Sequence, residues 1–241
     1  MNKVGIIGYG EIGKAVEKLY PGPVLIKDLD RDDGLEGVEV LHICISYSDS
    51  FIDCVQTYIQ EYKPLYTIIH STIPPTTTEK LVDLTGERVV HSPVRGVHPD
   101  LLEGLLTFEK YVGADFDCFD VLEHLNSLGI KTKLVSSKTS ELAKLLSTTY
   151  YGMCIAWHGE MKEMCDELGV DFEEAATNWN NGYNEGYNKL GMGNVTRPVL
   201  YPPKKIGGHC IIPNAIMLRD YLAAKLRRFN SPLFDLIFKW K

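Results

Sequence analysis

The chain has 241 residues, of which 44% are hydrophobic and 24% charged, as in a globular protein of one large domain or two small ones. Its net charge of −7 argues against nucleic acid and anionic membranes as partners, because both attract basic surfaces. No apolar run approaches the length of about 18 residues that a membrane span needs, and the first strand begins too early to leave room for a signal peptide.

The first predicted elements are a short strand, a glycine-rich turn and a helix over residues 11–20. The turn has the spacing G-x-G-x-x-G, the fingerprint of dinucleotide binding, although an ordinary strand–turn–helix unit stays possible. Gly8 allows a tight bend, Gly10 lets a pyrophosphate approach the backbone, and Gly13 lets the helix pack on the strand. The free N–H groups of the helix then face the phosphates. The predicted cofactor contacts are Gly8, Tyr9, Gly10, Glu11, Ile12 and Gly13.

The second predicted strand, residues 23–28, ends at Asp28. An acidic residue about 20 positions after the first glycine accepts hydrogen bonds from the ribose hydroxyls. Asp30, Asp32 and Asp33 follow and would repel a 2′-phosphate, which favours NAD over NADP. Arg31 leaves NADP open as the alternative.

Further buried strands are predicted over residues 38–45, 65–69, 87–90, 110–113 and 130–135, with helices over 51–62, 76–84 and 116–128. This alternation predicts an α/β fold, a Rossmann doubly wound parallel sheet over residues 1–135. Ligands bind at the carboxyl ends of such strands. Polar residues follow several of those ends. Ser46, Tyr47, Ser71 and Thr72 are predicted to contact the cofactor, and Arg95 and His98 an anionic substrate.

A helix of about 45 Å is predicted from residue 136 to residue 168. So long a helix indicates a smaller all-α domain over residues 136–241 and a possible homodimer interface. A further helix is expected over residues 171–187, followed by a loop, a helix to about residue 226 and a short apolar tail.

Cys210 differs from the other five cysteines because it follows two glycines and precedes a helix. All six lack paired spacing and indicate free thiols in a reducing cytoplasm. A thiol at a helix start, beside His209 and near two lysines, has an increased thiolate fraction and could add to an aldehyde. A small buried residue in a glycine turn is the simpler interpretation.

Lys144 lies one helical turn after Glu141 and one turn before Thr148. In a cleft it could stabilise negative charge on a reacting oxygen, whereas on an exposed face it would pair with Glu141. The histidines lack the spacing of known metal motifs, so no metal site is predicted.

Taken in order, these motifs resemble the UDP-glucose/GDP-mannose dehydrogenase family, within the wider 6-phosphogluconate dehydrogenase-like group. Residues 8–13 and Asp28 are similar to its NAD site. Residues 71–78 are similar to its S-T-[VIL]-P-x-G-T-T segment, Ser92-Pro93 begins its S-P-E segment, residues 141–145 match its E-x-A-K-L helix, and residues 206–213 resemble its G-G-[SH]-C-[FIL]-P segment. The resemblance implies active-site roles for Thr72, Lys144 and Cys210.

The chain also departs from the family pattern. Val94 and His98 stand where the family has glutamates, Thr148 where it has asparagine, and Asn214 where it has aspartate. The chain stops soon after Cys210, so we expect the family's C-terminal nucleotide-binding domain to be absent. A nucleotide-sugar substrate and a second, acid-forming oxidation are therefore both uncertain at this point.

The resulting hypothesis is an NAD-dependent dehydrogenase acting on an alcohol or aldehyde. Lys144, aided by Thr148 and Asn214, would stabilise the substrate oxygen; Thr72 would position water or substrate; Arg95, His98 and His209 would bind substrate. Cys210, if reactive, would hold an aldehyde as a thiohemiacetal. The alternatives are a two-electron β-hydroxyacid or imine reductase, which needs no cysteine, and a non-catalytic NAD-binding regulatory protein.

Overall fold

The computed structural model describes residues 3–96, 99–208, 210–226, 229 and 231–241. Contacts between Cα atoms divide the chain into two compact units, one up to Lys144 and one from Leu145 onward. Within the described residues, no helix is both long and apolar enough to cross a membrane.

The first unit contains one eight-stranded sheet in the order β3-β2-β1-β4-β5-β6-β7-β8. Five of its seven pairings are parallel; β2 with β3 and β6 with β7 are antiparallel. This confirms the predicted Rossmann-type fold, with a sheet that is mainly rather than wholly parallel. The strands are β1 Val4–Ile7, β2 Leu25–Asp28, β3 Arg31–Asp32, β4 Val40–Ile43, β5 Tyr66–Ile69, β6 Val89–His91, β7 Lys110–Gly113 and β8 Thr132–Val135.

The central strands are continuous apolar runs because both faces of the sheet are covered. Every residue of β1, β4 and β5 is buried. Side chains alternate between the faces, so Ile6 packs into one hydrophobic cluster and Ile7 into the other. Five helices accompany the strands, and a sixth begins in this unit: α1 Glu11–Glu17, α2 Phe51–Tyr62, α3 Thr77–Thr85, α4 Leu101–Thr107, α5 Phe119–Ser127 and α6 Ser137–Leu168.

The regular secondary structure among the described residues of the second unit is all helical, with a loop between residues 190 and 210. It contains the part of α6 after Lys144, a π-helical turn Glu173–Asn178, α7 Trp179–Lys189, α8 Ile211–Lys225 and α9 Pro232–Lys239. Trp240 packs against α6, where a Cβ added to Gly159 would lie 2.4 Å from the indole ring. The indole N–H donates to Glu160 at 2.9 Å. These contacts attach the C-terminal helix α9 to α6.

Three elements were missing from the sequence-based prediction. The two-residue edge strand β3 pairs antiparallel with β2, because the acidic segment after Asp28 folds back as a hairpin. The short helix α4 lies in a segment where the sequence pattern predicts no helix or strand. Helix α9 stands where the sequence predicted a short apolar tail.

Candidate active site

The glycine turn after β1 has the geometry that the spacing predicts. Gly8 has φ +91°, and a Cβ there would lie 2.9 Å from the backbone of Cys44. A Cβ on Gly13 would lie 2.1 Å from the carbonyl oxygen of Gly8. By contrast, a Cβ on Gly10 would meet nothing within 4 Å. The turn is therefore tight on its protein side and open at Gly10, as a site for an approaching pyrophosphate requires.

Asp28 ends β2 beside this turn. One carboxylate oxygen accepts a hydrogen bond from the Tyr9 backbone N–H at 2.7 Å, and the other accepts one from the Leu29 N–H at 2.8 Å. Each oxygen has a second lone pair for a ribose hydroxyl. The carboxylate thus links the glycine turn to the end of the neighbouring strand.

The two cations near Asp28 are both paired with acids. Arg31 forms an ion pair with Asp33 at 2.6 Å, and Lys27 pairs with Asp32. The Lys27 ammonium holds the pKa of Asp32 below its usual range, and Arg31 does the same for Asp33. Because Arg31 is engaged by Asp33, this region favours a free ribose hydroxyl over a 2′-phosphate.

The carboxyl ends of β4, β5 and β6 are joined by direct contacts. The Ser71 hydroxyl donates to the Ile45 carbonyl at 2.5 Å, and the His91 imidazole contacts the Ser71 carbonyl at 3.0 Å. Ser71 is therefore a structural link between strand ends. Ser46 is exposed, whereas Tyr47 and Thr72 are half-buried. Within the described part of the chain, the Thr72 hydroxyl has no hydrogen-bond partner, which suits a ligand contact.

Glu141 has a role that the sequence did not reveal. It is fully buried, and its carboxylate accepts from the Thr76 N–H at 2.6 Å, the Thr78 N–H at 2.8 Å and the Thr78 hydroxyl at 2.7 Å. It thereby caps helix α3 from the neighbouring helix α6. Burial raises the pKa of this carboxyl, against the opposing effect of the three donors.

Lys144 is half-buried, and its ammonium donates to the Val94 carbonyl at 2.9 Å. The simpler interpretation, an exposed lysine paired with Glu141, is therefore wrong. Arg95 is exposed; its guanidinium donates to the Glu109 carbonyl and lies 5.1 Å from the centre of the Tyr111 ring. Its role in substrate binding stays a prediction, and His98 lies outside the described residues.

In the second unit, Cys210 is half-buried at the residue preceding α8. The Asn214 N–H donates to the Cys210 carbonyl at 3.0 Å, which begins the helix, and the Asn214 side chain is buried. Thr148 is half-buried on α6. His209 lies outside the described residues. All six cysteines are free, and no group of three or more potential metal ligands occurs where the structure is described.

Comparison with known proteins adds a direct family match. Residues 138–235 match the model of the UDP-glucose/GDP-mannose dehydrogenase family, central domain. The family resemblance is confirmed. The UDP-N-acetyl-D-mannosamine dehydrogenase of Methanococcus vannielii is 27% identical over 172 residues, which is 69% of this chain and 37% of that relative. The chain thus spans less than half the length of this relative.

Solved structures show the same fold. The UDP-N-acetyl-D-mannosamine dehydrogenase from Pyrococcus horikoshii has a TM-score of 0.77 at 20% identity, over 98% of this chain and 67% of that chain. The 3-hydroxyisobutyrate dehydrogenase of Mycobacterium tuberculosis, solved with L-serine, has a TM-score of 0.70 at 15% identity, over 99% of this chain and 92% of that chain. At these identities the similarity concerns the fold alone.

Proposed function

We propose that the chain is an NAD-dependent dehydrogenase acting on the CH–OH group of a small-molecule substrate. The observation that carries this proposal is the glycine turn, which is closed by Gly13 and open at Gly10 beside the Asp28 carboxylate. The family match over residues 138–235 supports it. When bound, NAD accepts the hydride that leaves the substrate carbon in each oxidation.

We assign a separate role in the reaction to each proposed site residue. The turn at Gly10 and the start of α1 hold the pyrophosphate, and Asp28 accepts hydrogen bonds from the ribose hydroxyls. The Lys144 ammonium stabilises the negative charge that develops on the substrate oxygen as its proton leaves to water. The unpartnered Thr72 hydroxyl orients that water or the substrate. Thr148 and Asn214 assist Lys144 on the strength of the family resemblance.

A second oxidation through Cys210 is the finer part of the proposal. The thiol adds to the aldehyde carbon, forming a C–S bond and a thiohemiacetal hydroxyl. Loss of the hydride and the hydroxyl proton leaves a thioester, and water then cleaves the C–S bond to give the acid and restore the thiol. Arg95, His98 and His209 remain candidates for substrate contacts.

A β-hydroxyacid dehydrogenase is the second candidate, because the chain covers 92% of the 3-hydroxyisobutyrate dehydrogenase. That chemistry needs no cysteine. NADH formation is to be measured with UDP-N-acetyl-D-mannosamine and with 3-hydroxyisobutyrate, in wild type and Cys210→Ala. Loss of turnover in Cys210→Ala supports the thiol route, whereas unchanged turnover reduces the reaction to one oxidation. Tight NAD binding without turnover would instead indicate the regulatory alternative.

Cofactor binding is tested by a matched pair of substitutions. A methyl group on Gly10 has free space in the protein, so Gly10→Ala should fold normally and weaken NAD binding at least about tenfold, since the pyrophosphate needs that space. Gly182→Ala, where an added Cβ also meets nothing within 4 Å, is the control and should leave NAD binding unchanged. Calorimetry that detects no heat with NAD or NADP in wild type would refute the proposal.

Helix α6 supports the further proposal of a homodimer. Exposed apolar side chains recur along one face of it at intervals of four or seven residues. They are Leu146, Tyr150, Trp157, Met164 and Leu168. A second copy would bury this stripe, and sedimentation equilibrium tests the stoichiometry. The six free cysteines support a reducing compartment, which we propose to be the cytoplasm.

A further inference from the structure

Lys110, the first residue of β7, is a buried lysine that the reaction proposed above does not use. It is 3% exposed. Its amine donates to the Ser92 carbonyl at 2.6 Å and to the Pro93 carbonyl at 3.0 Å. No carboxylate among the described residues pairs with it. An unpaired cation in a protein interior is costly, so its retention calls for a reason beyond packing.

The two carbonyls that Lys110 holds belong to a short segment that also binds Lys144. This segment, Ser92–Val94, leads out of the carboxyl end of β6 and is buried throughout. The Val94 carbonyl accepts a hydrogen bond from the Lys144 ammonium at 2.9 Å. Three consecutive backbone carbonyls therefore receive the amines of two lysines, one from β7 and one from α6.

The Ser92 carbonyl is also the end of a chain of hydrogen bonds between buried and partly buried rings. His70 Nδ1 lies 3.1 Å from the Ser92 carbonyl, so this nitrogen must carry the hydrogen and Nε2 must accept. His42 Nδ1 donates to that acceptor at 2.8 Å, which leaves its own Nε2 to accept from the Tyr20 hydroxyl at 2.6 Å. The Tyr20 oxygen in turn accepts from His124 Nε2 at 2.7 Å.

Burial keeps the two central imidazoles, those of His42 and His70, in their neutral form. Burial lowers the pKa of His42 to about 3 and that of His70 well below its usual value. Because both nitrogens of each of these neutral rings form hydrogen bonds, the rings are held in fixed positions next to Ser92. The Ser92 carbonyl thus accepts hydrogen bonds from both His70 and Lys110.

We propose that Lys110 is a positioning residue for Lys144, holding the Ser92–Val94 segment so that the Val94 carbonyl directs the Lys144 amine. This inference rests on the proposed role of Lys144 in the reaction. A flexible lysine chain has several rotamers, and a fixed acceptor selects one of them. A displacement of about 1 Å can reduce the rate roughly a hundredfold, so the fixed acceptor has a direct effect on turnover.

The two amines are also coupled by charge. The pKa of Lys110 is lowered to about 7, mainly by burial and in smaller part by the nearby charges of Lys144 and Arg95, against the raising effect of Cys44. The buried imidazoles of His42, His70 and His91 are neutral, because burial lowers the pKa of each. Lys110 is therefore charged below about pH 7 and neutral above it.

The first test is kinetic and uses NADH formation with whichever of the two substrates named above is turned over. Lys110→Met should lower kcat roughly tenfold to a hundredfold and leave the NAD dissociation constant within about twofold. Tyr20→Phe is the control, since it breaks the same buried chain without touching residues 92–94. It should lower thermal stability and leave kcat within about twofold. Unchanged kcat in Lys110→Met, or an equal loss in Tyr20→Phe, would overturn the inference.

The second test needs no turnover. In protein labelled with carbon-13 at lysine Cε, one resonance should titrate near pH 7, and Lys144→Ala should move its midpoint upward because a neighbouring positive charge is removed. An unmoved midpoint would show that the amines are not coupled and would overturn the inference.

The turnover of the two variants separates the inference from the proposed function. Full turnover in Lys144→Ala would refute the proposed function itself. An inactive Lys144→Ala beside a fully active Lys110→Met would refute the positioning role alone.

Discussion

Glu141→Ala should destabilise the first unit by about 3 kcal/mol. The substitution removes an acceptor for three hydrogen bonds, and two of the three donors belong to Thr78, which is 1% exposed. A buried donor without a partner costs about 1–3 kcal/mol, so the three together cost roughly 3–9 kcal/mol. The substitution also removes the unfavourable burial of the carboxylate, which is seen in its raised pKa, and this offsets part of the loss. A loss of about 3 kcal/mol remains.

Urea unfolding monitored by circular dichroism measures this loss, which corresponds to a fall in Tm of about 6–12 °C for a chain of this size. Glu79→Ala is the matched control, because Glu79 lies in the first turn of the same helix and is exposed. Its effect should stay within about 0.5 kcal/mol. Equal effects of the two substitutions would show that Glu141 does not cap α3 in solution.

Three further substitutions test single features of the first unit. Thr76 has φ +77°, a region that strains a β-branched residue, so Thr76→Gly should stabilise the protein by about 0.5–1 kcal/mol in urea unfolding. Asp33→Ala frees Arg31 from its ion pair and should raise NADP affinity relative to NAD severalfold by calorimetry. The pKa of Lys110 is lowered to about 7 in the folded protein, so between pH 7 and about 10 this amine carries a proton in the unfolded chain but not in the folded one. The free energy of unfolding of the wild type, relative to that of Lys110→Met, should therefore rise with pH over this range, by at most about 1.4 kcal/mol per pH unit.

The glycine turn and most strands could be predicted because local pattern determines them. The spacing of Gly8, Gly10 and Gly13 reflects contacts within one strand–turn–helix unit. The strands β4 and β5 are buried on both faces and mainly apolar, so their hydrophobic runs are visible in the sequence. The two-residue strand β3 gives no such signal, since both of its residues are exposed and its pairing depends on a hairpin.

Contacts between segments that are distant in the sequence could not be predicted from local pattern. The capping of α3 by Glu141 joins residues more than 60 positions apart, and nothing in the pattern around Glu141 distinguishes it from an exposed helix acid. Similarly, Lys110 begins a strand whose first residue could have pointed to either face. Its burial depends on which strands flank β7, and the antiparallel β6–β7 pairing was not predicted.

The departures from the family pattern have a structural meaning at two positions. Thr76 occupies the glycine position of the S-T-[VIL]-P-x-G-T-T segment and retains the left-handed backbone that glycine would adopt easily. The hydrogen bonds that the backbone N–H groups of Thr76 and Thr78 donate to the Glu141 carboxylate stabilise that conformation. At the S-P-E position, Val94 brings no carboxylate, and Lys144 donates to its backbone carbonyl instead.

Substitution of a neutral carbonyl for a carboxylate changes the electrostatics around Lys144. A carboxylate within about 4 Å would favour the charged ammonium, whereas a carbonyl dipole favours it less and Lys110 opposes it below about pH 7.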